Sequence, residues 1–402
     1  MAKFAIMGYG TLGSSLAHVA HVNHDSIAEK VGEEIAVKYI LDIRDFENNP
    51  YQHLMIKDFS IIENDPEVEV VVETIGGSKV ALEFTRRALL AGKHVVTANK
   101  ELVATYGKEL LAIAKEKNVN YLFEASVGGA IPLLRPLYQC LAGNQIEEIV
   151  GILNGTTNYI LTRMVKGGVD FDVALSEAQA NGYAEQDPTA DIMGHDACRK
   201  IAILAALATG KLVSTDAIPT EGITAIRAAD VRAAASVGAS IKLLGRAIRS
   251  AEGWHVLVAP FLIGENSPLA TVDDVYNGVC VTGDFVGDVM FYGRGAGSYP
   301  TASAVVSDVC ALLRGNAPRF SFEPAAEEDV APRDSFLSGR YLAVAGVDMS
   351  AARVVLGEVR FLESEGDELC LITEEMTDKA FEEKCHRLEA CGGEIRSAIR
   401  IF

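Results

Sequence analysis

Asp196 and Lys200 stand four residues apart at the head of an apolar run through Ile201, Leu204, Ala205 and Leu207. On a helix that spacing puts both on one face. Glu185, Asp187 and Asp191 crowd in just ahead of them, in the stretch Gly182-Tyr183-Ala184-Glu185-Gln186-Asp187-Pro188-Thr189-Ala190-Asp191. Carboxylates gathered beside one lysine suit a substrate carrying an ammonium group, with the lysine poised for proton transfer. The competing reading of the same spacing is a surface ion pair contributing about a few tenths of a kcal/mol. A helix is expected to begin at or near Thr189.

Two other turns carry polar groups that chemistry can use. Gly151-Ile152-Leu153-Asn154-Gly155-Thr156-Thr157-Asn158-Tyr159 is an apolar strand ending in a glycine-containing turn and a helix start. Backbone N–H groups and hydroxyls converge there, which suits a carboxylate or phosphate, although Thr156 or Thr157 can equally be a plain N-cap. Glu124-Ala125-Ser126-Val127-Gly128-Gly129-Ala130-Ile131-Pro132 exposes backbone carbonyls beside a carboxylate. Oxygen ligands on a loop suit a hard cation, and a Gly-Gly turn before a proline-initiated helix is the alternative.

The elements that position these groups begin at the N-terminus. The apolar run Lys3–Met7 leads into Gly8-Tyr9-Gly10-Thr11-Leu12-Gly13, followed by helical material with apolar positions at Leu12, Leu16, Val19 and Ala20. Gly8 permits the tight turn, Gly10 lets the backbone approach a pyrophosphate, and Gly13 allows close packing of helix on strand. The helix N-terminus then offers N–H groups and a partial positive charge to the phosphates. Strands are expected at 35–41, 68–73, 94–97 and 119–123, with helices at 80–90 and 102–116. Such alternation implies a doubly wound parallel sheet whose ligand lies beyond the carboxyl ends of the strands. Asp42, Arg44, Thr74 and the segments 97–100 and 124 should surround one crevice. Asp42 suits a ribose 2′-hydroxyl and Arg44 a 2′-phosphate, so the choice between NAD and NADP stays open.

Composition bounds the rest. At 402 residues the chain should form two or three domains. A net charge of −19 argues against nucleic acid and against an anionic membrane surface as partners. The most apolar stretch, 201–213, is too short to span a bilayer. Seven scattered cysteines without a Cys-x-x-Cys pair fit a reducing cytoplasm.

Taken as a set, GYGTLG (8–13), ETIGG (73–77), TANKELVA (97–104), EASVGGAIP (124–132), ILNGTTNYIL (152–161), GYAEQDPTADIMGHDACRK (182–200) and GRGAGSYPTASAVVSD (293–308) resemble homoserine dehydrogenase, in family order over residues 1 to about 315. The resemblance implies an N-terminal Rossmann-type domain (1–130, with a return segment at 295–315), an α+β catalytic and dimerisation domain (131–294), and NAD(P)-dependent interconversion of L-homoserine and L-aspartate 4-semialdehyde. It implies Lys200, Lys100 and Asp196 in catalysis, and Thr156, Tyr183, Glu185, Asp191 and Asp196 around the substrate. The coenzyme residues it implies are Gly8, Tyr9, Gly10, Thr11, Leu12, Gly13, Arg44, Thr74, Asn99, Lys100, Gly182 and Gly297. Glu124 with the backbones of Val127, Gly129 and Ile131 corresponds to a monovalent-cation site, usually sodium. A homodimer or homotetramer is implied as well.

Residues 330–402 read as a small α+β domain of the size of the ACT module found at the end of many relatives. Here the Asp-x-Pro-Gly turn and full first helix of that module are missing, leaving only Asp348 to Gly357. Feedback binding of an amino acid in the usual way is therefore not expected, and an edge-to-edge sheet contact between protomers is. A catalytically silent NAD-binding regulator on the same fold is the rival reading. It should have lost Lys200 or Asp196, and both are present.

Overall fold

The computed structural model describes residues 1–364 and 366–402, with the backbone alone at position 333. The chain divides into two compact units, one made of residues 1–145, 202–215 and 293–325, the other of 146–201, 216–292 and 326–402.

The first unit is built on a parallel sheet. Among the described residues its order is Met55–Ile56, Ile35–Leu41, Ala2–Met7, Val68–Glu73, His94–Thr97, Tyr121–Leu122. Every pairing is parallel. Strands covered on both faces must be apolar throughout, and Phe4 to Met7, Val70 to Val72, Val95 and Val96 are all essentially buried. Helices Thr11–Val22, Lys79–Leu90 and Lys100–Glu116 make the crossovers, and Ser298–Leu313 packs on Thr11–Val22. The winding reverses between Ala2–Met7 and Val68–Glu73, which is where such sheets bind ligands. The strand expected at 119–123 shrinks to Tyr121–Leu122, because it lies at the sheet edge with a partner on one side only.

The second unit holds a nine-stranded sheet among the described residues. Its order is Gly287–Arg294, Tyr276–Gly283, Ile146–Ile152, Ala239–Ser250, Gly253–Gly264, Glu394–Ile401, Arg340–Ala345, Glu368–Thr373, Val359–Phe361. Strands Ala239–Ser250 and Gly253–Gly264 form one long hairpin, and Phe261 and Leu262 of its second strand pair in parallel with Arg400 and Ile401. One edge of the C-terminal segment is thus occupied within the chain. That segment runs strand, helix, strand, strand, helix, strand, in the ferredoxin-like order. Its first helix, Met349–Leu356, is short as expected: Asp348 caps it by accepting from the Ala351 N–H at 2.8 Å, and Gly357 ends it with φ +91°. Leu342, Ala352, Leu356, Leu371, Phe381 and Leu388 form its core.

The helix expected from Thr189 is in fact two. A four-residue turn, Thr189–Ile192, stops at Gly194, whose φ of +82° suits glycine, and helix His195–Thr209 starts afresh. Among the described residues no helix is long and apolar enough to cross a membrane, and all seven cysteines are free.

Candidate active site

The candidate coenzyme-binding residues near the N-terminus belong to the first unit. Gly8 takes φ +99°, and a Cβ there would meet the Thr74 carbonyl oxygen at 2.8 Å. A Cβ on Gly13 would lie 2.0 Å from the Gly8 carbonyl oxygen, so helix Thr11–Val22 sits on the turn as closely as backbone allows. The Thr74 hydroxyl donates to the carbonyls of Met7 and Gly8 at 3.0 and 2.9 Å, tying the turn to the end of strand Val68–Glu73. Gly10 is the N-cap, and Thr11 opens the helix with no acidic side chain in its first turn. Anionic phosphate is the ligand such a terminus favours.

At the end of strand Ile35–Leu41, the buried Asp42 accepts from the Tyr9 N–H at 2.8 Å. Arg44 folds onto the same carboxylate, Nε at 3.0 Å and Nη2 at 2.8 Å, and with the backbone bonds it holds the Asp42 carboxyl down at about 2. The Arg44 side chain is 59% exposed, whereas the Asp42 carboxylate it covers is 6% exposed. Asn99 caps helix Lys100–Glu116 by accepting from the Leu102 N–H at 3.0 Å and donates to the Gly77 carbonyl at 2.6 Å. That places Lys100 in the first turn. Glu73, not anticipated from the sequence, is fully buried, accepts from Thr97 Oγ1 at 2.6 Å, and has its carboxyl raised by burial. Gly297, with φ +120°, is the N-cap of helix Ser298–Leu313.

The loop after Tyr121–Leu122 is also in this unit. Glu124 Oε1 accepts from the N–H groups of Leu133 and Leu134 at 2.6 and 2.8 Å, and Oε2 from that of Arg135 at 2.9 Å. Gly128 and Gly129 turn the loop at φ +74° and +52°, and a Cβ on Gly129 would strike the Gly295 carbonyl at 2.6 Å. Asp308 accepts from the Glu124 N–H at 2.9 Å and lies 3.2 Å from Arg135 Nε. Burial, with the Glu124 carboxylate beside it, pushes the Asp308 carboxyl up to about 8. Among the described residues no group of three or more His, Cys, Asp and Glu side chains is arranged to hold a metal. Both Glu124 oxygens are engaged by backbone N–H groups, so a cation here would share a carboxylate already in use. A set of one carboxylate with backbone carbonyls would suit a monovalent ion better than a divalent one.

The candidate substrate residues Asn154, Thr156, Tyr183, Glu185, Asp191, Asp196 and Lys200 belong to the second unit. Lys200 Nζ is buried and donates to Asp196 Oδ2 and to the Leu153 carbonyl, each at 2.7 Å. Asn154, at the end of strand Ile146–Ile152, donates through Nδ2 to Asp191 Oδ1 at 2.7 Å and to Asp196 Oδ2 at 2.8 Å. Its Oδ1 meanwhile caps helix Gly155–Gly167 by accepting from the Thr157 N–H at 2.8 Å. Asn154, like Glu73, is not singled out by the sequence. Its position between an apolar strand and a helix start signalled the cap, but nothing local signalled the bridge between two carboxylates. Thr156 donates to the Tyr183 carbonyl at 2.7 Å, and the Tyr183 ring leans on Tyr159 at 4.8 Å. Gly182, Tyr183 and Glu185 sit on the exposed turn after helix Phe171–Ala180, with Gly182 at φ +73°. The surface ion pair was the alternative for Asp196 and Lys200; their burial removes it.

Comparison with known proteins decides the family. A family model described as homoserine dehydrogenase matches residues 132–310, and one described as homoserine dehydrogenase, NAD binding domain, matches 8–124. The chain belongs to the homoserine dehydrogenase family. A curated homoserine dehydrogenase of Pseudomonas aeruginosa is 37% identical over 99% of this chain and 98% of its own length. One from Synechocystis sp. is 45% identical over 77% and 73% respectively. The crystal structure of a homoserine dehydrogenase from Thiobacillus denitrificans superposes with a TM-score of 0.93 at 36% identity, covering 100% of this chain and 98% of that one. A hyperthermophilic archaeal homoserine dehydrogenase in complex with NADPH is 27% identical with a TM-score of 0.65, covering 77% and 97%. The activity is therefore that of an NAD(P)-dependent oxidoreductase interconverting L-homoserine and L-aspartate 4-semialdehyde.

Proposed function

We propose that Lys200 moves the proton in this reaction and that Asp191 and Asp196, joined by Glu185, Thr156 and Tyr183, hold the polar groups of homoserine. The observation that carries the reading is the buried lysine held between Asp196 and the Leu153 carbonyl, each at 2.7 Å. When bound, the nicotinamide exchanges the hydride with the carbon bearing the oxygen. Lys200 gives its proton to that oxygen in the direction of reduction and takes it back in oxidation. Its positive charge also stabilises the developing alkoxide. Asp196 and the Leu153 carbonyl fix where that proton sits, which is the orientation term in the rate. A second carboxylate, Asp191, leaves the site with more acceptors than one lysine uses, as an ammonium-bearing substrate requires.

Gly8 to Gly13, Thr74, Asn99, Lys100, Gly182 and Gly297 are proposed to contact the coenzyme, with Arg44 taking a 2′-phosphate when NADP binds. Glu124 and the carbonyls of Val127, Gly129 and Ile131 are proposed to hold a monovalent cation that orders the loop and takes no part in proton movement. Exposed Phe285, at 86%, just ahead of edge strand Gly287–Arg294, and Tyr292 within that strand, at 56%, support self-association, which sedimentation tests.

The deciding experiment follows NAD(P)H formation from L-homoserine in wild type and Lys200→Ala. Turnover that collapses in the variant, with coenzyme binding retained, is expected. A variant within about threefold of wild type in kcat would overturn the assignment of the proton.

A further inference from the structure

The turn carrying the candidate substrate carboxylates is itself gripped from outside the site. Ile192, Met193, Gly194 and His195 separate Asp191 from Asp196, and segment 219–223 lies against the first three. The Ile223 N–H donates to the Ile192 carbonyl at 2.8 Å. A Cβ on Gly222 would lie 2.3 Å from that carbonyl oxygen, and one on Gly194 would meet Thr220 Cγ2 at 3.0 Å. The contact of Gly222 with the Ile192 carbonyl transmits displacement, because it is backbone on backbone with no flexible side chain to absorb it. The segment is fixed on its other side to the long hairpin, where the Glu221 N–H donates to the Val258 carbonyl at 2.8 Å and the Val258 N–H to Pro219 at 2.9 Å.

Two ion pairs connect this segment to the C-terminal βαββαβ portion. Arg400, which is 4% exposed, donates from Nη2 to Glu221 Oε1 at 2.7 Å and from Nη1 to Asp378 Oδ1 at 2.7 Å. Arg340 joins the same Asp378. Further along, Arg227 grips Glu368 with both Nη groups, at 2.8 and 2.7 Å, while Nη2 also reaches Asp230 at 2.6 Å. The Tyr341 hydroxyl donates to Asp230 at 3.0 Å. A planar guanidinium pairing two oxygens fixes orientation as well as distance.

We infer that Arg400 and Glu368 are positioning residues: through Glu221 and Arg227 they hold segment 219–230, which sets the Ile192–Gly194 turn and with it the separation of Asp191 and Asp196. The C-terminal portion thereby acts on the substrate site whether or not it binds a ligand of its own. This rests on the assignment of Asp191 and Asp196 to substrate, and it separates homoserine binding from coenzyme binding.

The test uses the full chain with Glu221→Gln. Glu221 is 46% exposed, Asp378 still pairs with Arg400, and the amide oxygen remains an acceptor for its Nη2, so the variant should fold. Expected are a rise of about fivefold or more in KM for L-homoserine, a kcat change below about twofold, and an unchanged Kd for the coenzyme by fluorescence titration. Glu221→Asp should restore at least half of the loss, and Glu368→Gln should reproduce it. A Glu221→Gln enzyme with wild-type KM overturns the inference, as does one that loses coenzyme affinity and thermal stability together. If Lys200→Ala fails to impair turnover, the site reading itself fails instead. The two failures are read from different variants.

Discussion

Replacing Asn154 with serine isolates its bridging role, because serine keeps the cap and discards the rest. The present side chain does two jobs: Oδ1 caps helix Gly155–Gly167, and Nδ2 donates to Asp191 at 2.7 Å and Asp196 at 2.8 Å. Serine is as good an N-cap as asparagine, so the helix should lose a few tenths of a kcal/mol at most. Two hydrogen bonds to charged acceptors disappear, each worth about 1.5–3 kcal/mol. Half-buried Asp191 recovers part of its loss from water, whereas Asp196, 3% exposed, does not. The surplus falls on Asp196 and Lys200 and comes to about 2–3 kcal/mol, less than the sum because the two bonds share one donor group. If transition-state positioning bears it, kcat/KM for L-homoserine falls by about 30- to 150-fold. The assay is initial-rate NAD(P)H formation beside a thermal melt. A serine variant with normal Tm and kcat/KM within threefold would show that the carboxylates need no bridge, and the argument would fail. Asn154→Ala should add roughly 1 kcal/mol of stability loss from the missing cap.

Gly13→Ala drives a methyl into the Gly8 carbonyl, which stands 2.0 Å from the Cβ position, and should lose about 2 kcal/mol of stability together with coenzyme binding measured by fluorescence. Arg44→Ser should raise KM for NADP by about tenfold and leave KM for NAD within about twofold, since only the phosphate-bearing coenzyme has use for the guanidinium. Asp308 binds its proton more tightly folded, at about 8, than in the unfolded chain, so the native state holds the extra proton between roughly pH 4 and pH 8. Its contribution to stability therefore falls as pH rises through that window. Melts should show Tm dropping from pH 6 to pH 9 in wild type and dropping less in Asp308→Asn. An equal slope in both would place the titration elsewhere.

The parallel sheet was legible because its central strands Val68–Glu73 and His94–Thr97 are mostly buried apolar runs. Ile35–Leu41, half-buried along its middle, is marked by its β-branched and aromatic residues, and the expected limits of all three coincide with the observed ones. The four-residue spacing also made the pairing of Lys200 with Asp196 legible. What escaped depends on partners remote in sequence. Asn154 meets carboxylates 37 and 42 residues away, and Arg400 meets Glu221 across 179. No local periodicity carries such a pairing. The break at Gly194 was missed for a different reason: a glycine in a helical pattern is tolerated at about 1 kcal/mol, so only its left-handed φ reveals a stop.

Both units are stitched from segments that do not adjoin in the chain, and this bears on how the polypeptide is made. As the first 145 residues leave the ribosome, helix Thr11–Val22 still lacks Ser298–Leu313, so its flank is uncovered during much of translation. The hairpin Ala239–Gly264 waits about half as long, for the strand that pairs with its far edge, Glu394–Ile401, at the end of the chain. At about 5–20 residues per second that is an interval of many seconds with an open, apolar strand edge. Crowded synthesis should therefore favour edge-to-edge pairing between nascent copies, and holdase chaperones should bind this intermediate rather than the finished protein.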